Sequence, residues 1–92
     1  MDLADCRHQI DEIDRLFVDL FCRRMAVSAE IAAYKKAHHL PIYIPEREKE
    51  KMASISDFVS PEMIPYVQSL YTTLFDLSKH YQESCMASEK NA

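Results

Sequence analysis

Two cations in the first half of the chain lack an acidic neighbour on their own helix. The residues three and four positions away, which a helix brings into contact, contain no Asp or Glu: Leu20, Phe21, Val27 and Ser28 for Arg24, and Ile31, Ala32, His38 and His39 for Lys35. On a helix, Arg24 and Lys35 lie about 20° apart around the axis and about 16 Å apart along it. Because an unpaired charge is costly to bury, the two cations predict a binding site for a small dianion.

Four further polar side chains lie on or next to apolar helix faces elsewhere in the chain. Glu48 comes one helical turn before Met52, on the inward side, and Arg47 lies next to it. Ser78 occupies an apolar stripe, and Gln82 follows it by four residues on nearly the same face. Added to the two unpaired cations, these side chains predict a cationic, water-poor pocket.

Arg7 is a separate case because of its distance from the other candidates. It precedes Arg24 by about 25 Å along a helix, which is too far for both side chains to hold one small ligand. An antiparallel helix of a second copy would bring Arg7 to the site. The alternative is local, because Asp11 lies four residues after Arg7 and suits an ion pair.

Each candidate also has a purely structural interpretation. Arg24 can form an ion pair with a carboxylate of a partner chain. Lys35 can extend its charged end out of the apolar seam, meaning the interface between two chains of a dimer. Ser78 and Gln82 can fix the register of such a seam, and Glu48 can simply favour a helix N-terminus. The His and Cys residues lack the spacing of a metal site or a nucleophilic centre.

The first helix must be unusually long. Apolar residues recur at alternating steps of three and four, with Arg24 in place of an apolar residue at one step: Ile10, Ile13, Phe17, Leu20, position 24, Val27, Ile31 and Tyr34. With Asp2 as its cap and no Pro or Gly inside, this pattern predicts a helix over about 3–39, about 54 Å long. The remaining residues are too few to cover such a stripe. A second copy of the chain is the simplest cover, so we expect a homodimer.

Prolines divide the rest of the chain. Pro41 stops the first helix, and Pro45 suits the first position of a second helix over about 45–57. Ser60, as a cap, and Pro61, at a first helical position, predict a third helix over about 61–86, with a 3₁₀ first turn or a restart at Pro65. The expected fold is all-α, with three helices in a single domain that spans residues 1–92.

Composition excludes several other classes of protein. The 92 residues carry a formal net charge of −4, which argues against binding to nucleic acid or to a membrane surface. Glycine is absent, so the usual phosphate-binding loops are missing. No membrane span or signal peptide is evident, and the three Cys residues form no CxxC pair, so we expect a cytoplasmic protein with reduced thiols.

Six motifs together resemble the all-helical chorismate mutases. They are Arg7-x-x-Ile10-Asp11-x-Ile13-Asp14, Arg23-Arg24-Met25, Tyr34-Lys35-Lys36, Pro41-Ile42-Tyr43, Pro45-Glu46-Arg47-Glu48 and Ser78-x-x-x-Gln82. The resemblance covers about residues 3–86, with the motifs in the order and spacing of the family. It implies an intertwined homodimer of three-helix chains with two active sites, each of which borrows one Arg from the other chain.

The resemblance also implies a reaction and a role for each candidate. The reaction is the Claisen rearrangement of chorismate to prephenate in aromatic amino-acid biosynthesis, without a cofactor or a metal. The implied roles are as follows: Arg7 of the partner chain and Arg24 bind the two carboxylates, Lys35 and Gln82 bind the ether oxygen, Glu48 binds the ring hydroxyl, and Arg47 and Ser78 complete the polar wall.

One position departs from the family pattern, and two other functions stay open. Many relatives have Asp where this chain has Ile44, which can neither cap the second helix nor offer a carboxylate to the ring hydroxyl. The isochorismate pyruvate-lyases share the fold and a similar Pro-Glu-Arg helix start. A non-catalytic dimerisation or regulatory module is the third possibility, in which protein carboxylates would neutralise Arg24 and Lys35.

Overall fold

The computed structural model describes residues 1–91, with side chains up to residue 87, and it is all-helical over that range. Helix α1 spans Leu3–Ala37, α2 spans Pro45–Ser56, and α3 spans Ile64–Asn91, preceded by a short 3₁₀ turn at Pro61–Met63. This confirms the prediction of an all-α fold with three helices and a very long first helix. None of the described helices combines the length and the apolarity that crossing a membrane requires.

Both ends of α1 are fixed by local hydrogen bonds. Asp2 and Asp5 form a reciprocal capping box, in which each side chain accepts a hydrogen bond from the other residue's backbone N–H. At the other end the helix stops two residues before the predicted boundary of 39, because His39 adopts a left-handed conformation with φ of 55°. The Leu40 N–H then reaches back to the Lys35 carbonyl at 2.8 Å, as in a Schellman motif.

The boundaries of the other two helices differ slightly from the sequence prediction. Helix α2 begins at Pro45 as expected and ends at Ser56, one residue early, and Ile44 supplies no side-chain cap. The third helix begins with a 3₁₀ turn, as the two prolines suggested, and continues past residue 86 to Asn91. The prediction that the Ser60 side chain caps this helix is wrong, since only its backbone carbonyl accepts a bond, from Met63 N–H.

The chain buries little of its apolar surface by itself. Helix α1 packs mainly against α3, and α2 packs against α3 as well. Ala32 and Ile55 are the buried apolar residues among those described, and every residue from 1 to 20 is exposed. The apolar stripe of α1 keeps 42% to 59% of each side chain exposed. A 53 × 29 × 15 Å molecule of this kind has no closed core of its own around the first half of α1.

Candidate functional site

A cavity of about 540 Å³ lies where the three helices meet, within the usual size range for a small-molecule site. Six of the seven polar residues singled out from the sequence line it: Arg24, Lys35, Arg47, Glu48, Ser78 and Gln82. They come from all three helices, so tertiary packing brings together side chains up to 58 positions apart in sequence. The seventh, Arg7, lies on the exposed half of α1 and does not line this cavity.

A continuous row of hydrogen bonds crosses the cavity wall. Ser28 Oγ and Ser78 Oγ share a hydrogen bond of 2.8 Å, and Gln82 Nε2 donates to Ser78 Oγ at 3.3 Å. Lys35 Nζ donates to Gln82 Oε1 at 3.3 Å and to the Ile42 carbonyl at 2.8 Å. Ser28 and Gln82 are buried, so these bonds hold the side chains where water is largely excluded.

Lys35 and Gln82 keep donors available for a ligand. An ammonium group carries three N–H bonds, and the Lys35 group uses two of them on protein acceptors. The Gln82 amide carries two, and one of them points to Ser78. Burial also lowers the pKa of Lys35 from its ordinary value of 10.5, because the charged form loses hydration. The pair thus keeps two adjacent donors, one of them charged, at the cavity wall.

Arg24 has no carboxylate partner among the side chains that the structure describes. It is half-buried at the cavity wall, and no Asp or Glu side chain of residues 1–87 forms an ion pair with it. Arg47 also lines the cavity and is exposed, again without an ion pair to those side chains. The two guanidinium groups are therefore able to receive an anion from solution.

Arg7 likewise forms no ion pair with the side chains of residues 1–87. The local alternative placed Asp11 against it, but no ion pair forms between these two exposed side chains. Such a pair does form elsewhere on α1, where Arg23 lies 3.8 Å from Asp19, four residues back. The half of α1 that carries Arg7 contacts no other element of its own chain closely enough to bury it.

Glu48 is the single acid among the residues that line the cavity, and it is already paired. Its Oε2 lies 3.1 Å from Lys79 Nζ, and Lys79 also approaches Asp76 Oδ1 at 3.5 Å. The Lys79 ammonium lies 4.4 Å from the centre of the Tyr43 ring, in a cation–π arrangement. The hydrogen bond that Lys79 donates to Glu48 is the largest of the effects that raise the pKa of Lys79, and burial opposes them.

Three polar residues of the cavity were missed in the sequence: Ser28, Lys51 and Lys79. Ser28 was visible as the residue one turn after Arg24, on the same face of α1. Lys79 directly follows Ser78, so it lies beside the stripe rather than in it. Its contact with Glu48 depends on how α2 crosses α3, and no spacing within one helix carries that information.

The balance of the cavity lining favours an anionic, partly apolar ligand. Five cations line it against one acid, and the cations are Arg24, Lys35, Arg47, Lys51 and Lys79. Apolar side chains complete the wall: Val27, Ile31, Ile42, Ile44 and Phe75. Ile44 thus lies in the cavity lining itself, at the position where an Asp was expected from the family pattern. A small anionic ligand with an apolar body matches both kinds of surface.

Comparison with known proteins identifies the family. The model of the family described as "Chorismate mutase type II" matches residues 6–83. A T-protein of Enterobacter agglomerans is 42% identical over 53 residues, which are 58% of this chain and 14% of that protein. A T-protein of Haemophilus influenzae is 44% identical over 46 residues, 50% of this chain and 12% of that protein. The chain thus spans about one seventh or less of these relatives. Since the family model covers most of the chain, this protein belongs to the type II chorismate mutase family.

Proposed function

We propose that this chain is a chorismate mutase, which rearranges chorismate to prephenate in aromatic amino-acid biosynthesis. The observation that carries the proposal is the pair of donors at Lys35 and Gln82, held by protein hydrogen bonds beside an Arg24 that has no carboxylate partner among the described side chains. Chorismate is a dianion whose ether bond breaks in the reaction. The cavity offers cations for the carboxylates and donors for the ether oxygen.

The reaction needs orientation and electrostatic stabilisation, and the site residues supply both. Arg24 and the partner's Arg7 bind the two carboxylates and select the compact conformer in which the reacting carbons approach each other. Negative charge grows on the ether oxygen as its bond to carbon lengthens. The free N–H bonds of Lys35 and Gln82 meet that oxygen, and because both side chains are already fixed, little reorganisation is required.

The remaining polar residues bind the rest of the substrate. Glu48 accepts a hydrogen bond from the ring hydroxyl, and Arg47 and Ser78 complete the polar wall. The Ile44 side chain has no polar group that can bind the ring hydroxyl. Glu48 is the one acid among the described residues of the cavity lining, so Glu48 binds this hydroxyl. The apolar wall excludes water from the ring, which strengthens each electrostatic contact.

The functional unit in this proposal is a homodimer. The first half of α1 exposes Ile10, Ile13, Phe17 and Leu20 in a continuous stripe. An antiparallel second copy covers this stripe and carries its own Arg7 toward the cavity, which closes the 25 Å gap expected within one chain. The proposal also places the enzyme in the cytoplasm, in accord with three free thiols at Cys6, Cys22 and Cys85.

The non-catalytic alternative makes a different prediction for the cations. In such a module, protein carboxylates would neutralise Arg24 and Lys35, but neither cation has an ion pair with the side chains of residues 1–87. The pyruvate-lyase alternative shares the cationic cavity, so product analysis separates it from the mutase.

The test is an absorbance time course of chorismate with the purified chain, followed by chromatographic identification of the product. In parallel, isochorismate is offered and salicylate fluorescence is recorded. We expect prephenate from chorismate and no salicylate from isochorismate. Salicylate formation would establish the lyase instead, and the absence of either product from a folded protein would leave the non-catalytic module.

A further inference from the structure

The carboxylate of Glu48 creates an electrostatic problem for the proposed substrate. It lines the same cavity that must receive a dianion, and like charges in a partly buried site repel each other. A hydroxyl-binding acid is therefore useful only if its charge is balanced and its oxygen atoms are held in a fixed direction. The chain contains a group that meets both needs, and it lies outside the set of residues that the family resemblance supplied.

That group is Lys79, whose ammonium is fixed from three sides. Glu48 accepts its hydrogen bond at 3.1 Å from the neighbouring helix, Asp76 lies at 3.5 Å one turn back, and the face of the Tyr43 ring lies at 4.4 Å. The Lys79 and Glu48 side chains are only 24% and 29% exposed, so solvent screens this pair less than the surface pairs of α1. Lys51 and Arg47 line the same cavity without an ion pair to Glu48.

The bonded atom also matters. Lys79 binds Oε2 of Glu48, and a carboxylate has a second oxygen that stays available as an acceptor. Holding one oxygen restricts the rotation of the carboxylate and so narrows the range of directions in which the other oxygen accepts a bond. Asp76 lies at the exposed side of Lys79, with 61% of its side chain in solvent, so water weakens its contact with the lysine and it stays outside the cavity lining.

We propose that Lys79 is a positioning residue, which neutralises Glu48 and orients its carboxylate toward the ring hydroxyl of the substrate. This inference rests on the proposed function, and it extends the site to Lys79, which acts through Glu48, and to the Tyr43 ring against which Lys79 lies. Lys79 thereby compensates for Ile44, whose apolar side chain can neither bind the ring hydroxyl nor orient the Glu48 carboxylate.

The expected effect is on KM more than on kcat. The ring hydroxyl does not react, so its contact is equally strong in the bound substrate and in the transition state. Lys79→Met keeps the apolar stem, removes the charge and leaves Glu48 free to repel the dianion. We expect it to raise KM about tenfold while kcat changes less than about threefold. Lys79→Arg restores a charged donor and should recover most of the loss.

A double-mutant cycle with Glu48→Gln tests whether Lys79 acts through Glu48. In the Glu48→Gln background there is no carboxylate to orient, so Lys79→Met should change KM less than about twofold. Asp76→Asn is the matched control, since it removes the other carboxylate at Lys79 and should leave both constants within about twofold of wild type. A lysine that only stabilises the fold would have the same effect in both backgrounds.

The outcomes separate this inference from the function on which it rests. An active chain in which Lys79→Met raises KM equally with and without Glu48 would overturn the role of Lys79 alone. A wild-type chain that does not convert chorismate would overturn the proposed function and this role with it. A titration of the Lys79 side chain by NMR checks the pairing without substrate: Glu48→Gln should lower the pKa of Lys79, and an unchanged pKa would contradict the pairing.

Discussion

Two properties of Lys35 have opposite effects on its protonation. It must be charged to stabilise the ether oxygen, yet burial favours its neutral form and lowers its pKa below the ordinary value of 10.5. The Ile42 carbonyl and Gln82 Oε1 accept two of its N–H bonds and help to keep the proton in place. The alkaline limit of activity should therefore be set by this residue, before ordinary lysines titrate.

This leads to a prediction for the pH dependence of kcat. We expect kcat to fall with rising pH as Lys35 loses its proton, in a range below 10.5. The effect on folding has the opposite sign: the cost of burying the charge is present below the folded pKa and is relieved as pH rises toward 10.5. Lys35→Gln should lower kcat on the order of 10²-fold and remove this alkaline limb.

Lys79 provides an internal comparison, because its pKa is raised and it titrates after Lys35. The measurement is kcat as a function of pH, from neutral to strongly alkaline, for the wild-type chain and for Lys35→Gln. If Lys35→Gln kept a wild-type kcat, or kept the same alkaline limb, Lys35 would not be the donor to the ether oxygen.

At the scale of elements, the turn after α1 controls the geometry of the site. Helix α1 ends in a Schellman motif with His39 in the left-handed region, and the chain then returns so that the Ile42 carbonyl reaches Lys35. A β-carbon is unfavourable in this conformation, and glycine, the residue that usually occupies it, is absent from the sequence. Histidine thus accepts some backbone strain in the turn that leads to Ile42 at the cavity wall.

Substitutions at this turn should show that strain directly. The free energy of unfolding should be about 1 kcal/mol higher for His39→Gly than for His39→Ala. The glycine variant should therefore unfold at a higher denaturant concentration or temperature. Position 38 is the matched control, because its φ of −106° suits any residue, and there Ala should be at least as stable as Gly. Equal stabilities of the two variants at position 39 would contradict a strained turn.

The elements also show what the sequence contains and what it omits. The Pro45 start, the Asp2 cap and the apolar stripe are local signals, and they predicted the helices to within a few residues. The unpaired state of Arg24 followed from its neighbours on one helix. The Lys79–Glu48 pair did not follow, since it depends on the crossing of α2 and α3. The Ser28–Ser78 bond joins α1 and α3 and was missed for the same reason.

At the scale of the whole molecule, the exposed half of α1 is the dominant feature. Residues 1–20 are all exposed, and the described part of the chain leaves the apolar stripe that runs through them uncovered. The same half carries Arg7, the one proposed site residue that is not part of the cavity. Assembly and catalysis are therefore linked in this proposal: the surface that needs a partner is also the surface that supplies the missing cation.

Mixing two inactive variants tests this central claim most directly. Arg7→Ala and Arg24→Ala should each lose nearly all chorismate mutase activity, because each homodimer lacks one carboxylate ligand in both sites. After unfolding and refolding together, about half of the dimers are mixed, and each mixed dimer regains one of its two sites. We predict prephenate formation at about a quarter of the wild-type rate. Mixed dimers that form but stay inactive would contradict a site shared between two chains.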